Sequence, residues 1–296
     1  MLSTCLRYVL NSLPVVSYVI LLSFSYSFIL YICGRVSLTF AGIYLVGAYA
    51  TVSLGMALMG NNMSFAGFIG ILLLACLLGA AMLVASYLCF ERFLKTDVHR
   101  MVATSSLLVA SRGLVKVIWG TTPVTYSAPF LSMGVSEIAG NIVPNYYLFM
   151  LAVALLLMLA LSYFLNRTCW GMRFRASSLD GERTMAQACG VNQNVVTLMT
   201  FAIAGVLAGL AGGLYAPIAG AAYGSEGNAL LLAALSVIIG GVGSIGGAVL
   251  AAFIVGIARA VAAIKMPVLE LAVPFIIASI TLMLRPFGLW GKEFRY

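Results

Sequence analysis

The chain has 296 residues, of which 63% are hydrophobic and 8% charged, and it carries a formal net charge of +8. A soluble domain uses roughly 25% charged residues to cover its surface, so this composition excludes a soluble globular protein and points to one that matches lipid. The basic excess does not imply nucleic acid: Lys and Arg are scattered between apolar runs, with no basic patch interleaved with aromatics.

A spanning helix needs about 20 apolar residues to cross a hydrocarbon layer of roughly 30 Å. The first such run, Leu13 to Cys33, is too long for the h-region of a signal peptide and lacks an A-x-A cleavage site, so it reads as a retained anchor. Further spans are expected at residues 36–58, 64–90, 101–118, 146–165 and 196–216. Residues 228–262 form one long apolar stretch broken at "IIGGVGSIGG", and 267–284 form a last span before "RPFGLWGKEFRY". Counting the long stretch as two half-spanning or short helices gives eight to nine segments. The expected fold is therefore all-α: a polytopic membrane helical bundle in one domain, residues 1–296, with broken or re-entrant helices.

Gly241-Val242-Gly243-Ser244-Ile245-Gly246 satisfies GxGxxG, but a dinucleotide loop also needs a preceding strand and an acidic residue about 20 positions on. Here the glycines lie between apolar membrane segments, and the next carboxylate, Glu270, stands at the start of another span. A break of this kind frees backbone groups that lipid cannot satisfy, so it must face protein or a water-filled cavity. A second candidate break is "CGRVSLTFAGIYLVGAY", where Gly34, Ser37, Thr39, Gly42 and Gly47 interrupt the apolar run. The two neighbourhoods fit a parallel internal repeat of the kind transporters use; alternatively, these glycines only let helices approach closely. Close packing is the preferred reading of Gly205, Gly209 and Gly213, whose small-xxx-small spacing smooths one helix face toward a helix of this chain or of a second subunit.

The one dense charge cluster is the loop 166–195. Within it Asp180 can cap a short helix, Glu182 favours its first turn, and Gly190 suits a left-handed C-terminal cap. It reads either as an amphipathic connector on lipid headgroups or as a helix that docks on a cytoplasmic partner. Placing this loop, Arg35, "ERFLKTDVHR" and the C-terminal tail on one side collects eleven of the sixteen Lys and Arg residues there. That side is cytoplasmic by the positive-inside rule, with the N-terminus outside and the C-terminus inside. Two charges stand apart: Arg112 within a span, where a charge signals function, and Glu226 at an outer mouth, either solvated or touching a partner.

No chemistry-bearing constellation appears. The six cysteines have no CxxC pair and read as small core residues, and the single histidine, His99, lies in the polar loop "KTDVHR". HExxH, GxSxG and Walker A patterns are absent, so no metal, cofactor or catalytic residue is assigned.

The ordered set "SLTFAGIYLVGAY", "GMRFRASSLDGERTMAQACGVN", "TFAIAGVLAGLAGGLYAP", "VIIGGVGSIGGAVLAAFIVGIA" and "RPFGLWG" resembles the permease subunits of bacterial branched-chain amino acid ABC importers over nearly the whole chain. The resemblance implies an inner-membrane, non-enzymatic subunit that assembles with a like permease, two cytoplasmic ATPase subunits and a periplasmic substrate-binding protein. It also implies that Gly171, Arg175, Ala176, Asp180, Ala186, Gly190 and Asn192 form the loop contacting the ATPase. Thr39-Phe40-Ala41-Gly42-Ile43-Tyr44 departs from the Asn-Phe-Ala-His-Gly-Glu type of sequence in many relatives, lacking its His and carboxylate. The translocation path is expected along the small residues of the breaks, Ser37, Thr39, Gly42, Gly240, Gly243 and Ser244. A permease for urea or short amides, or an autonomous ion-coupled secondary transporter, is the alternative.

Overall fold

Apolar runs of this length can satisfy their backbone in lipid only by bonding it internally. The computed structural model, which describes residues 2–59, 65–91, 93–94, 96–126, 134–138, 141–178 and 183–290, is helical accordingly. Its helices are α1 (Leu2–Cys33), α2 (Thr39–Met59), α3 (Phe65–Ser86, prolonged by a π turn at Tyr87–Glu91), α4 (Asp97–Trp119), α5 (Asn145–Arg167) and α6 (Cys169–Ala176). There follow α7 (Arg183–Ala188), α8 (Gln193–Ala219), α9 (Ser225–Gly240), α10 (Ile245–Lys265) and α11 (Ala272–Leu284). Seven of them, α1 to α5, α8 and α10, are long and apolar enough to cross a membrane, and α9 and α11 are shorter apolar helices. The expected eight to nine segments are thus present.

Boundaries differ in informative ways. The stretch 228–262 divides unequally, into a 16-residue α9 and a 21-residue α10, so one of the two is a full span. Residues expected to open the second span at 36 instead form a connection, because Gly34 takes φ +60° at the end of α1 and α2 begins only at Thr39. Gly42 and Gly47 do not interrupt α2, which runs unbroken through both. The region between α4 and α5 holds an antiparallel hairpin, β1 (Val135–Ile138) with β2 (Asn141–Pro144), that the hydropathy reading left without structure.

The centre is built on α1 and α8. Helix α8 packs most extensively on α3 and α2, and α1 on α10 and α8. Small residues explain the closeness: a Cβ at Gly47 would lie 2.9 Å from Gly209 Cα, one at Gly205 would lie 2.9 Å from Ala80 Cα, and one at Gly212 would lie 2.9 Å from Ala48 N. The Gly205, Gly209 and Gly213 face is therefore spent on helices of this chain. Two buried side chains tie neighbours to the α8 backbone, Ser25 donating to the Ala204 carbonyl at 2.8 Å and Tyr146 to the Leu214 carbonyl at 2.7 Å. Leu77, Val117, Leu156 and Met283 stand exposed on outer faces, as suits contact with acyl chains.

The bundle has two distinct ends. One gathers the end of α1, the end of α5, α6 and the 241–244 turn, and is called the loop end. The other carries the β-hairpin and an isolated bridge from Val124 to Ala221, and is called the hairpin end.

Candidate functional site

At the loop end the chain between α5 and α8 folds into two short helices. Thr168 caps α6, its Oγ1 accepting from Gly171 N–H at 3.0 Å and donating to the Phe164 carbonyl at 2.6 Å. Gly171 is buried against the carbonyls of Phe164 and Leu165, where no side chain fits. Phe174 anchors the helix, its ring 5.9 Å from Phe28 of α1 and 6.0 Å from Phe164 of α5. Arg173 stacks over Trp170 at 4.5 Å, while Arg175 is exposed and Ala176 half-buried.

Helix α7 ends as the sequence suggests. Gly190 takes φ +82°, its N–H donates to the Gln187 carbonyl at 3.0 Å, and Val191 N–H donates to the Ala186 carbonyl at 3.0 Å, the two bonds of a Schellman motif. Ala186 is buried and Met185 exposed, giving α7 one inward and one outward face. Asn192 caps α8, its Oδ1 accepting from Asn194 N–H at 3.1 Å. Asp180 and Glu182 lie outside the described residues.

The glycine break faces protein and a cleft, as its freed backbone requires. Gly241 and Gly243 take φ +100° and +90°, and Ser244 caps α10 by accepting from Gly247 N–H at 3.1 Å. Two carbonyls at the end of α9 are satisfied from far along the chain: Leu289 N–H donates to Ile239 at 2.8 Å and Trp290 N–H to Gly240 at 3.1 Å. Gly288, at φ +81°, rests on Gly241, and Arg285 Nη1 donates to the Leu289 carbonyl at 3.2 Å. The terminal motif "RPFGLW" is thus the cap of the "IIGG" break, a pairing that hydropathy gives no sign of. Beside the turn opens a cleft of about 330 Å³ bordered by Tyr31, Ser162, Asn166, Arg175, Gly243, Ser244 and Trp290. It joins two residues of the loop, Asn166 and Arg175, to residues of the break.

The small residues expected to share one path are divided. Gly243 and Ser244 border the 330 Å³ cleft, whereas Thr39 and Gly42 border a second crevice of about 190 Å³ between α2, α3 and α4, with Ser86 and Ser111. Thr39 Oγ1 is buried with no hydrogen-bond partner among the described residues. Ser37 is buried, and Gly240 packs on Gly247 instead of opening onto either space. Of the five cysteines whose burial is described, Cys33 and Cys76 are buried and Cys89, Cys169 and Cys189 are exposed, against the expectation that the cysteines fill the core.

At the hairpin end Glu226 is not the solvated or partner-touching carboxylate expected, and Arg112 has it as its partner. Glu226, in the first turn of α9, is fully buried and accepts from Arg112 Nε of α4, so it lies at no open mouth. Burial is tolerable there because the cation neutralises it and the helix N-terminus favours a carboxylate. A second group surrounds Arg259 of α10, which bonds Glu270 and the Tyr18 hydroxyl. Arg259 interrupts the apolar run 245–265 as Arg112 interrupts its own, and that was its signal in the sequence. Outside the spans, burial pushes the Tyr126 phenol above its ordinary range.

Against known proteins, residues 8–283 match the family described as the permease component of branched-chain amino acid transport systems. The high-affinity branched-chain amino acid permease protein LivH of Salmonella typhimurium is 26% identical over 307 residues, covering 97% of this chain and 96% of LivH. BraD of Pseudomonas aeruginosa, of the same description, is 26% identical with the same coverage, 97% and 96%. Among solved structures, an inward-facing transporter of the metal-chelate ABC type superposes with a TM-score of 0.50 at 17% identity, over 94% of this chain and 83% of that one, a likeness of fold.

Proposed function

The chain belongs to the permease family of branched-chain amino acid transport systems, and from that premise we propose that it moves branched-chain amino acids into the cell as one half of the membrane path of an ATP-driven importer. The observation that carries this reading is a family match from residue 8 to residue 283, spanning both the breaks and the loop 166–195. A second permease, two ATPase subunits and a periplasmic binding protein complete the assembly in the bacterial inner membrane. The loop end faces the cytoplasm, since eleven of the sixteen basic residues belong to the segments there. This leaves the N-terminus in the periplasm and the C-terminus in the cytoplasm.

In this assembly the loop residues Gly171, Arg175, Ala176, Asp180, Ala186, Gly190 and Asn192 receive the ATPase. Phe174, seated between α1 and α5, and Arg175, bordering the cleft beside the glycine turn, support that role by joining the loop to the spans. ATP binding and hydrolysis on the partners shift the population between inward-open and outward-open arrangements. Ser37, Thr39, Gly42, Gly240, Gly243 and Ser244 line the route in one or other of these states, offering hydroxyls and backbone dipoles without a trapping charge.

The test is reconstitution of the membrane complex in proteoliposomes. Uptake of radiolabelled L-leucine is expected to require internal or external ATP on the ATPase side and the binding protein on the other. A permease that transports leucine alone, without ATPase subunits, overturns the reading. Gly190→Val is expected to leave ATP hydrolysis in place while lowering leucine moved per ATP.

A further inference from the structure

The hairpin end holds a polar cluster that the path described above does not use. Gly256 lets α10 press on α1, since a Cβ there would lie 2.9 Å from Val16 Cα. One turn on, this approach sets Arg259 over Tyr18. Arg259 Nη1 donates to the Tyr18 hydroxyl at 2.7 Å, and Nε and Nη2 donate to Glu270 Oε1 at 2.9 and 2.8 Å. Both carboxylate contacts fall on one oxygen, and Glu270 keeps 33% of its side chain exposed, against 13% for Arg259. Behind them the Tyr18 ring lies 4.2 Å from that of Tyr215 and 6.2 Å from that of Tyr44. Five elements, α1, α2, α8, α10 and the approach to α11, contribute one residue each.

We propose that Arg259 and Glu270, with Tyr18, form a recognition point for the charged end of a free amino acid entering at the hairpin end. This inference rests on the amino-acid transport reading and deepens it. A free amino acid presents a carboxylate and an ammonium group on one carbon. A guanidinium fork matches the first and a carboxylate the second, with the half-buried Tyr215 ring beside them to meet an aliphatic side chain. Without substrate the two protein charges satisfy each other, which spares both the cost of standing unpaired in an apolar surrounding. Substrate exchanges that internal pair for two intermolecular ones. A pair serving only to pin α11 gains little over apolar packing, and it has no use for the Tyr18 hydroxyl brought to Arg259 from α1.

The test uses the detergent-purified permease and ATPase complex without binding protein, with tritiated L-leucine as probe and 4-methylpentanoate, which is leucine lacking its amino group, as competitor. Wild type is expected to bind leucine and to prefer it over 4-methylpentanoate by about tenfold, the scale of one charge-assisted contact. Glu270→Gln, nearly isosteric and checked for assembly by gel filtration, is expected to erase that preference, because the amide no longer pairs with the ammonium group and is not left as an unpaired charge when 4-methylpentanoate takes Arg259. Arg259→Lys is expected to weaken both ligands alike. In the charge exchange R259E/E270R, assembly is expected to return and leucine uptake to stay low. An E270Q complex with undiminished preference, a wild-type complex that binds no leucine, or an exchange variant with restored uptake overturns the proposal and leaves a structural pin. Failure of the transport reading shows separately, as a wild-type complex that takes up no leucine with ATP and binding protein present.

Discussion

Glycine serves two opposite purposes in this molecule, and α8 and the 241–244 turn display them side by side. Gly205, Gly209 and Gly212 of α8 keep helical geometry and are small so that the backbones of α2 and α3 can come close. Gly241 and Gly243 take φ values of +100° and +90° and end a helix. The residue type is the same, and what differs is the polar environment. Helix α8 closes its own backbone bonds, whereas the turn borrows a serine hydroxyl for Gly247 and two distant N–H groups for Ile239 and Gly240. A glycine-rich apolar run therefore becomes a seam where its backbone is self-sufficient and a break where capping partners are supplied.

Substitutions that change one purpose and spare the other sharpen this contrast. The largest effect is expected from Gly209→Leu, because the atoms in the way are backbone of neighbouring helices. The cost lies at the top of the ~1–3 kcal/mol range for overpacking, read as loss of folded protein in detergent and a lower melting temperature. Gly241→Ala follows, since an L-residue at φ +100° is strained by about 2 kcal/mol wherever it sits; the melt should shift while packing of α8 is untouched. Leu289→Pro removes the N–H that caps Ile239 and is expected to cost about 1.5 kcal/mol, with Leu289→Ala, which keeps that N–H, as the control. Ser244→Ala is the mildest, about 1 kcal/mol for a lost N-cap. A melt in which Ser244→Ala exceeds Gly209→Leu would reverse the contrast.

Much of this was legible in the sequence because lipid leaves a chain few choices. Runs of about 20 apolar residues become helices, and the loop's Gly190 and the Gly205 to Gly213 face behave as their spacing indicates. What escaped was pairing between distant residues. Hydropathy sees Arg112 and Glu226 as two isolated charges 114 positions apart and has no means of joining them. It left Gly42 open between a helix break and close packing, and the structure has the second: α2 runs unbroken through Gly42, whose missing side chain makes room for Ser111. Of the small residues read as one path, Gly243 and Ser244 border one space and Thr39 and Gly42 another, since membership of a common face depends on how α2, α4 and α10 pack, which one-dimensional periodicity does not encode.

The cap on α9 also imposes an order on synthesis. Ile239 and Gly240 receive their partners from Leu289 and Trp290, residues made about fifty positions later. Until those residues leave the ribosome and reach the loop end, the break stands with two bare carbonyls at the membrane boundary. A chain halted anywhere from 245 to 288 carries an intact α8 seam and an unfinished turn. The glycine turn therefore receives its last two caps only after α11 and the motif that follows it have been made.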